Sequence, residues 1–210
     1  MFRDGLVDGW IGSLLASDEH RPRNPWLEAP RIVGADVVLR AHADHDAERV
    51  EQACSDERSA YWLGGLPQPY TRADAEAYIA SRPEDMAAGT AVHWAIADPA
   101  TDALLGSISI MDLTGQAGAE IGYWAHPDAR GRGVTTAAVR LAARHAFVDE
   151  VDGGLGLPKV RLVSAVDNTA SRQVAVANGF RECGQERLGT PCRDGRHDTV
   201  VYDLVPSDLS

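Results

Sequence analysis

Cysteine is scarce in this chain: Cys54, Cys183 and Cys192 are scattered and odd in number. Such a set builds no disulfide framework and reads as reduced thiols in a cytoplasm. Long hydrophobic runs are also missing. No stretch reaches about eighteen consecutive apolar residues, so no membrane-spanning helix is expected. The first residues carry Arg3 but also Asp4 and Asp8, with no apolar core ahead of a cleavage site, so no secretory leader is expected. Positive charge is short as well. Twenty Lys and Arg stand against 31 Asp and Glu, for a net charge of −11. That balance disfavours nucleic acid and anionic membranes and favours a cationic acceptor such as an amine. Two phosphate-binding patterns are absent. No Gly-Lys-Ser/Thr is present, and the glycine pair at Gly131 and Gly133 is followed by Thr136 where a dinucleotide fingerprint needs a small residue.

What the chain does have is centred on residues 119–148. Ile121, Tyr123 and Trp124 give a strand its β-favouring bulk, and His126-Pro127-Asp128 breaks it. Val134, Ala138, Leu141, Ala142, His145 and Val148 then recur at helical spacing. Between strand and helix lies Arg130-Gly131-Arg132-Gly133-Val134-Thr135. Glycines let backbone approach a ligand, and a helix N-terminus points free N–H groups outward. Two arginines add positive charge, so the turn suits a phosphate or pyrophosphate. A plain strand–turn–helix with structural glycines is the alternative.

The 210 residues, 44% of them hydrophobic, fit one domain with an extension better than two domains. Phe2, Leu6, Val7, Trp10, Ile11, Leu14 and Leu15 give residues 1–16 an amphipathic helical pattern, followed by a polar, proline-punctuated linker. Residues 1–33 are therefore expected to be a helical arm and linker. The arm packs on its own domain, or covers a partner subunit or the acceptor cleft, and its rich apolar face makes a homodimer the expectation. The domain proper is expected over 34–210. A strand is predicted at 37–40 and a helix over 42–54. An aromatic loop is predicted over 61–70, then a helix from an N-cap at Thr71 to about Ser81. Strands at 92–97, 104–111 and 119–125 read as an antiparallel meander. Strand 160–165 after the central helix implies one parallel pair and a right-handed crossover. Asn168 caps a further helix that Gly179 stops. Strands at 183–188 and 199–205 form a closing hairpin around Asp194-Gly195. His42 and His45 have no third ligand nearby, so no metal site is expected.

Arg130, Gly133 and Thr135 follow the pattern Arg/Gln-x-x-Gly-x-Gly/Ala, with Thr135 in place of the usual small residue. Asn168-x-x-Ser171-Arg172 followed by Asn178-Gly179-Phe180 comes one crossover later. The two motifs in this order resemble the GNAT N-acetyltransferase superfamily over about residues 34–205. Ile121-Gly122-Tyr123-Trp124 and the Arg-Gly-Arg-Gly turn resemble the RimJ/RimL-like branch, which acetylates ribosomal-protein N-termini. The resemblance implies an α/β fold: a mixed, mostly antiparallel sheet with a splayed parallel strand pair, flanked by helices. It implies acetyl-CoA as co-substrate, with no metal, and contacts from Trp124, Ala125, His126, Arg130, Gly131, Arg132, Gly133, Val134 and Thr135. It adds Asn168 and Arg172 on the second motif.

Acetyl transfer to an amine needs a base for the amine proton, N–H donors for the oxyanion and a proton for the thiolate. Glu120 is the first candidate base, sharing a strand face with Gly122 and Trp124; a solvent-facing strand glutamate is the alternative, with His126 and Asp112 in reserve. The resemblance offers Ser171 as the acid, against ordinary helix-end hydrogen bonding. A protein N-terminus or a small-molecule amine is the implied acceptor, with a pocket at 61–70 and the closing hairpin. A non-catalytic acyl-CoA-binding module and a nucleotide-binding oxidoreductase are the other readings.

Overall fold

Eight strands lie in the order β1-β2-β3-β4-β5-β6-β8-β7 in the computed structural model, which describes residues 27–115 and 118–209. The amphipathic pattern at 1–16 lies outside those residues. In chain order the elements are β1 (Ile32–Val33), β2 (Val38–Arg40), α1 (Ala47–Ser55), α2 (Glu57–Trp62), α3 (Arg72–Ala87) and β3 (Val92–Ala97). Then follow β4 (Leu104–Met111), β5 (Ala119–Ala125), α4 (Val134–Phe147), β6 (Val160–Ala165), α5 (Thr169–Ala177), β7 (Arg181–Cys192) and β8 (Gly195–Leu204). Every neighbouring pair is antiparallel except β5–β6. The sheet is thus the mixed, mostly antiparallel one the sequence implies. A doubly wound oxidoreductase needs repeated parallel units, and this sheet has a single parallel pair.

Strand alternation sorts side chains to two helical layers. Trp94 points to one face, where its indole N–H donates to the Pro30 carbonyl (3.0 Å) and its ring meets His145 of α4 edge-on. The larger core, with Leu39, Ile108, Ile110, Ile121 and Leu162, lies on that side. Ala138, Ala142, Ala143 and Ala146 of α4 are wholly buried there, because alanine lets the helix sit close to the sheet. Ala95 and Leu104 belong to a smaller cluster with Val50 and Cys54 of α1 and Ala75 and Ile79 of α3. Both faces of β3 are covered, so all six of its residues are buried.

Several boundaries differ from the sequence expectation, each for a local reason. Residues 44–46 form a 3₁₀ turn before α1, because the Asp46 carboxylate turns back to the Ala43 N–H (2.9 Å) and is held by Arg40. Tyr61 and Trp62 lie in α2, not in a loop. The Asp56 carboxylate caps α2 by accepting from the Ser59 N–H. The Thr71–Asp74 capping box starts α3 as expected, but the helix runs through Pro83 to Ala87. Packing of Ala75, Ile79 and Met86 carries it past the proline. Helix α4 ends at Phe147, leaving Val148 extended and 41% exposed. Strand β7 is twice the expected length, because it follows β8 through two register shifts.

The feature that positions a site is the parting of β5 and β6. Their register pairs only Ala119 with Val160 and Glu120 with Arg161. Beyond Glu120, β5 stays paired to β4 and β6 stays paired to β8. The edge of β5 over residues 121–125 therefore faces a gap.

Candidate active site

A cavity of about 530 Å³ occupies that gap. Tyr123, Trp124 and Ala125 of β5 line it, with the turn residues Arg130, Gly131 and Gly133 and the first residues of α4. Asn168 at the cap of α5, with Ser171 and Val174 of that helix, forms another wall, and Ser59 and Trp62 of α2 with Leu63 just after it close the cavity.

The turn leaves backbone donors and open space of a kind that suits an anion. Gly131 and Gly133 have φ of +73° and +75°, a region that costs other residues about 1–2 kcal/mol. A Cβ at either position would meet nothing within 4 Å, so their open side is available to a ligand. Gly133 is the N-cap of α4 and offers no side chain, and the first turn holds no acid. The first bond into the helix runs from the Ala137 N–H to the Gly133 carbonyl (3.0 Å). The N–H groups of Val134, Thr135 and Thr136 thus remain for a ligand, at the positive end of the helix dipole. These residues fit the pyrophosphate of coenzyme A.

The cavity brings together Trp124, Ala125, Arg130, Gly131, Gly133, Val134, Thr135, Asn168 and Ser171. It leaves out Glu120, His126, Arg132 and Arg172. Arg130 is not free: its Nη2 donates to Ser59 Oγ (2.9 Å) and to the Asp56 carboxylate. Arg130 holds the Asp56 carboxyl below the usual carboxylate range, against a smaller opposing effect of burial. The pair fastens the turn at 130–133 to the start of α2.

His126 lies buried beneath the turn. Its Nδ1 accepts from the Asp128 N–H (3.2 Å) and from Arg49 Nη2 (3.0 Å), and its Nε2 stands 3.3 Å from Gln52 Oε1. That network assigns the proton to Nε2. Burial, with Arg49 beside it, lowers its pKa. Arg132 is exposed, reaching the Asp128 carbonyl at 3.4 Å. Arg172 turns away, donating to the Tyr202 hydroxyl (3.1 Å) and the Val166 carbonyl (3.2 Å). Asn168 Oδ1 accepts from the Ser171 N–H (3.2 Å), the N-cap bond of α5.

Glu120 sits at the last paired rung of β5–β6, half-buried and in register with Arg161. Burial raises its pKa; Arg161 opposes that and Asp112 adds to it. It shares a strand face with Trp124, four residues on, a span of about 13 Å. His42 and His45 do not converge: His42 Nε2 lies 3.1 Å from Ser107 Oγ, while His45 Nε2 stands beside Asp46 (3.5 Å) and Asp102. Among the described residues no three metal-ligating side chains cluster.

Among the cavity residues to which the sequence assigned no role, Tyr123 meets a candidate catalytic side chain. The Tyr123 hydroxyl lies 2.9 Å from Ser171 Oγ. Strand alternation gives Tyr123 the face of Ile121, but nothing in the sequence says that α5 will stand opposite.

YdaF of Bacillus subtilis, a putative ribosomal N-acetyltransferase, is 39% identical over 87 residues. That match covers 41% of this chain and 45% of YdaF, so it spans less than half of that relative's length. It supports the RimJ/RimL-like branch. YoaA of the same organism, an uncharacterized N-acetyltransferase, is 28% identical over 188 residues, covering 86% of this chain and 97% of YoaA. The crystal structure of a probable acetyltransferase superposes with a TM-score of 0.72 at 28% identity, covering 83% of this chain and 95% of the other. Mycobacterium smegmatis RimJ in complex with CoA-disulfide shares the fold, with a TM-score of 0.72 at 21% identity over 82% of this chain and 83% of RimJ. The Acetyltransferase (GNAT) domain model matches residues 36–181, more than half of the chain, and the chain belongs to the GNAT acetyltransferase family.

Proposed function

We propose that this protein transfers the acetyl group of acetyl-CoA to a primary amine by direct attack of the amine on the thioester. The single observation that carries the reading is the uncapped N-terminus of α4, opening through Gly131 and Gly133 into the gap beside β5. A protein N-terminus is the acceptor favoured by the ribosomal relative, and a small-molecule amine is the other outcome of the test. The net charge of −11 suits a cationic acceptor rather than nucleic acid.

Roles follow from chemistry and position. The N–H groups of Val134, Thr135 and Thr136 hold the pyrophosphate, with the Arg130 and Arg132 charges nearby. His126 acts from beneath, fixing the turn through Arg49 and Asp128. The open edge of β5 directs the Ala125 N–H to the pantetheine arm or the carbonyl oxygen, while the Trp124 N–H faces β4 and Trp124 serves as a cavity wall. Asn168 orients the α5 side of the cavity by capping the helix that carries Ser171, and Arg172 braces that helix against β8. Ser171 gives a proton to the departing sulfur. Glu120 takes the amine proton through water; its raised pKa brings a carboxylate closer to the working pH of a base. We further take the protein to be cytoplasmic and homodimeric, the latter from the apolar pattern of residues 1–16.

The decisive experiment measures coenzyme A release across a panel of amines and N-terminal peptides. Release with at least one class supports the reading. No release with any, despite coenzyme A binding, makes the protein an acyl-CoA-binding module.

A further inference from the structure

Two hydroxyls meet across the gap where β5 and β6 part. Tyr123 reaches from β5 to the first turn of α5, where its one hydroxyl proton has two acceptors, Ser171 Oγ at 2.9 Å and the Ser171 carbonyl at 3.3 Å. Both side chains line the cavity. Tyr123 comes from β5 and Ser171 from the helix that follows β6, so the contact bridges the gap that opens where the two strands part. Burial pushes the Tyr123 hydroxyl up to about 12, and it keeps its proton throughout the neutral range. The Ser171 amide is committed to Asn168. Its hydroxyl can rotate between Tyr123 and the cavity.

A serine hydroxyl alone is a poor proton donor to a thiolate. Hydrogen-bonded chains polarise their members, and a second hydroxyl behind the first supplies the proton that the first gives away. We infer that Tyr123 is the proton reservoir for the leaving group, donating to Ser171 Oγ as Ser171 donates to the sulfur. This rests on the acetyl-transfer reading above. The amine nitrogen forms its bond to the carbonyl carbon, and the carbon–sulfur bond breaks with its electron pair on sulfur. Sulfur takes the Ser171 proton, Ser171 Oγ takes the Tyr123 proton, the proton shed by the amine passes to Glu120 and on to solvent, and solvent returns one proton to Tyr123. The products are the amide and the free thiol. Tyr123 acts through Ser171 and is therefore a positioning and relay residue.

The competing role is a brace that merely ties the two halves of the sheet. A brace would reveal itself in coenzyme A affinity and would leave the proton transfer untouched. The test compares Tyr123→Phe, Ser171→Ala and the double variant in the full chain, by kcat, by calorimetric coenzyme A binding and by solvent deuterium isotope effect. Tyr123→Phe keeps the ring and its packing. The relay requires kcat to fall about tenfold to a hundredfold, less than the loss of about a hundredfold or more for a group that transfers the proton directly, because Tyr123 acts through Ser171. Coenzyme A affinity should hold within about twofold, the isotope effect should change, and the double variant should be no slower than Ser171→Ala, because the two hydroxyls act as a unit. If the wild type acetylates an amine and Tyr123→Phe does so equally well, the relay is wrong and the acetyl-transfer reading stands. A kcat loss matched by an equal affinity loss makes Tyr123 a brace and also overturns the relay. A wild type that acetylates no amine overturns both.

Discussion

Replacing Gly133 separates the charge of the turn from its shape. Gly133 has φ of +75°, caps α4 without a side chain and is exposed. Asn and Asp both tolerate that backbone region and both make good N-caps, so either side chain competes for the same free N–H groups. They differ by one negative charge. Two unit charges about 5 Å apart at an effective dielectric of about 20 repel by about 3 kcal/mol. The turn is open to water, and about half of that survives, roughly a tenfold loss of affinity. Gly133→Asp should therefore bind coenzyme A about tenfold more weakly than Gly133→Asn in low salt, and both more weakly than the wild type. The gap between the two should close near 1 M salt, where the Debye length is about 3 Å. Stability should move little, since a cap worth about 1 kcal/mol offsets backbone strain of about 1–2 kcal/mol. Isothermal calorimetry at two salt concentrations, with thermal melts of each variant, reads all of this. Equal affinities for the Asp and Asn variants in low salt would refute a pyrophosphate at this helix end.

Glu120→Gln should lower kcat by about two to four orders of magnitude while coenzyme A affinity holds, and the deficit should shrink at high pH, where more amine is already neutral. The base works ionised and its pKa is raised, so the wild-type rate should fall on the acid side at a pH above the ordinary carboxylate range, and the variant should lack that limb. The Arg40–Asp46 pair is buried, with Arg40 Nη1 and Nη2 at 2.7 and 2.8 Å from the carboxylate oxygens. Asp46→Asn should cost about 1.5–3 kcal/mol in urea unfolding, because it removes one of the two carboxylates that a buried guanidinium bonds, the other being Asp102 at 2.9 Å from Nε. Burial raises the Asp46 pKa, but the bonds from Arg40 and the Ala43 N–H outweigh it and the net shift is downward. Its stabilisation is thus present above the unfolded value near 4 and lost as pH falls through the lower folded value, an acid-unfolding step that the Asn variant should lack. Light scattering of the full chain should give a dimer, and a monomer at high concentration would count against the homodimer.

The legible parts of this protein were those that short-range rules decide. The Thr71–Asp74 box and the Asn168 cap each satisfy helix N–H groups within three residues, and both helices start where those residues say. Strand β6 needed only its own Val160, Leu162 and Ser164 alternation. The turn at 130–135 was readable because glycines at positive φ and an uncapped helix start are properties of six consecutive residues. Even the parallel pair followed from order alone, since strand–helix–strand must cross over.

What only the tertiary structure decided depends on residues far apart in sequence. Arg130 read as a free cation, but Asp56, 74 positions earlier, takes it up. His126 read as a cofactor contact or a base, but Arg49 and Gln52 of α1 draw its ring beneath the turn. Arg172 sits one residue from Ser171, yet helical geometry turns it to Tyr202 while Ser171 faces Tyr123. The sequence by itself could name the helix that carries Ser171 and the strand that carries Tyr123. Which hydroxyl meets which is set by how β5 and β6 part after a single shared pair of rungs, and that parting is a balance of packing between two halves of a sheet, which no local pattern encodes.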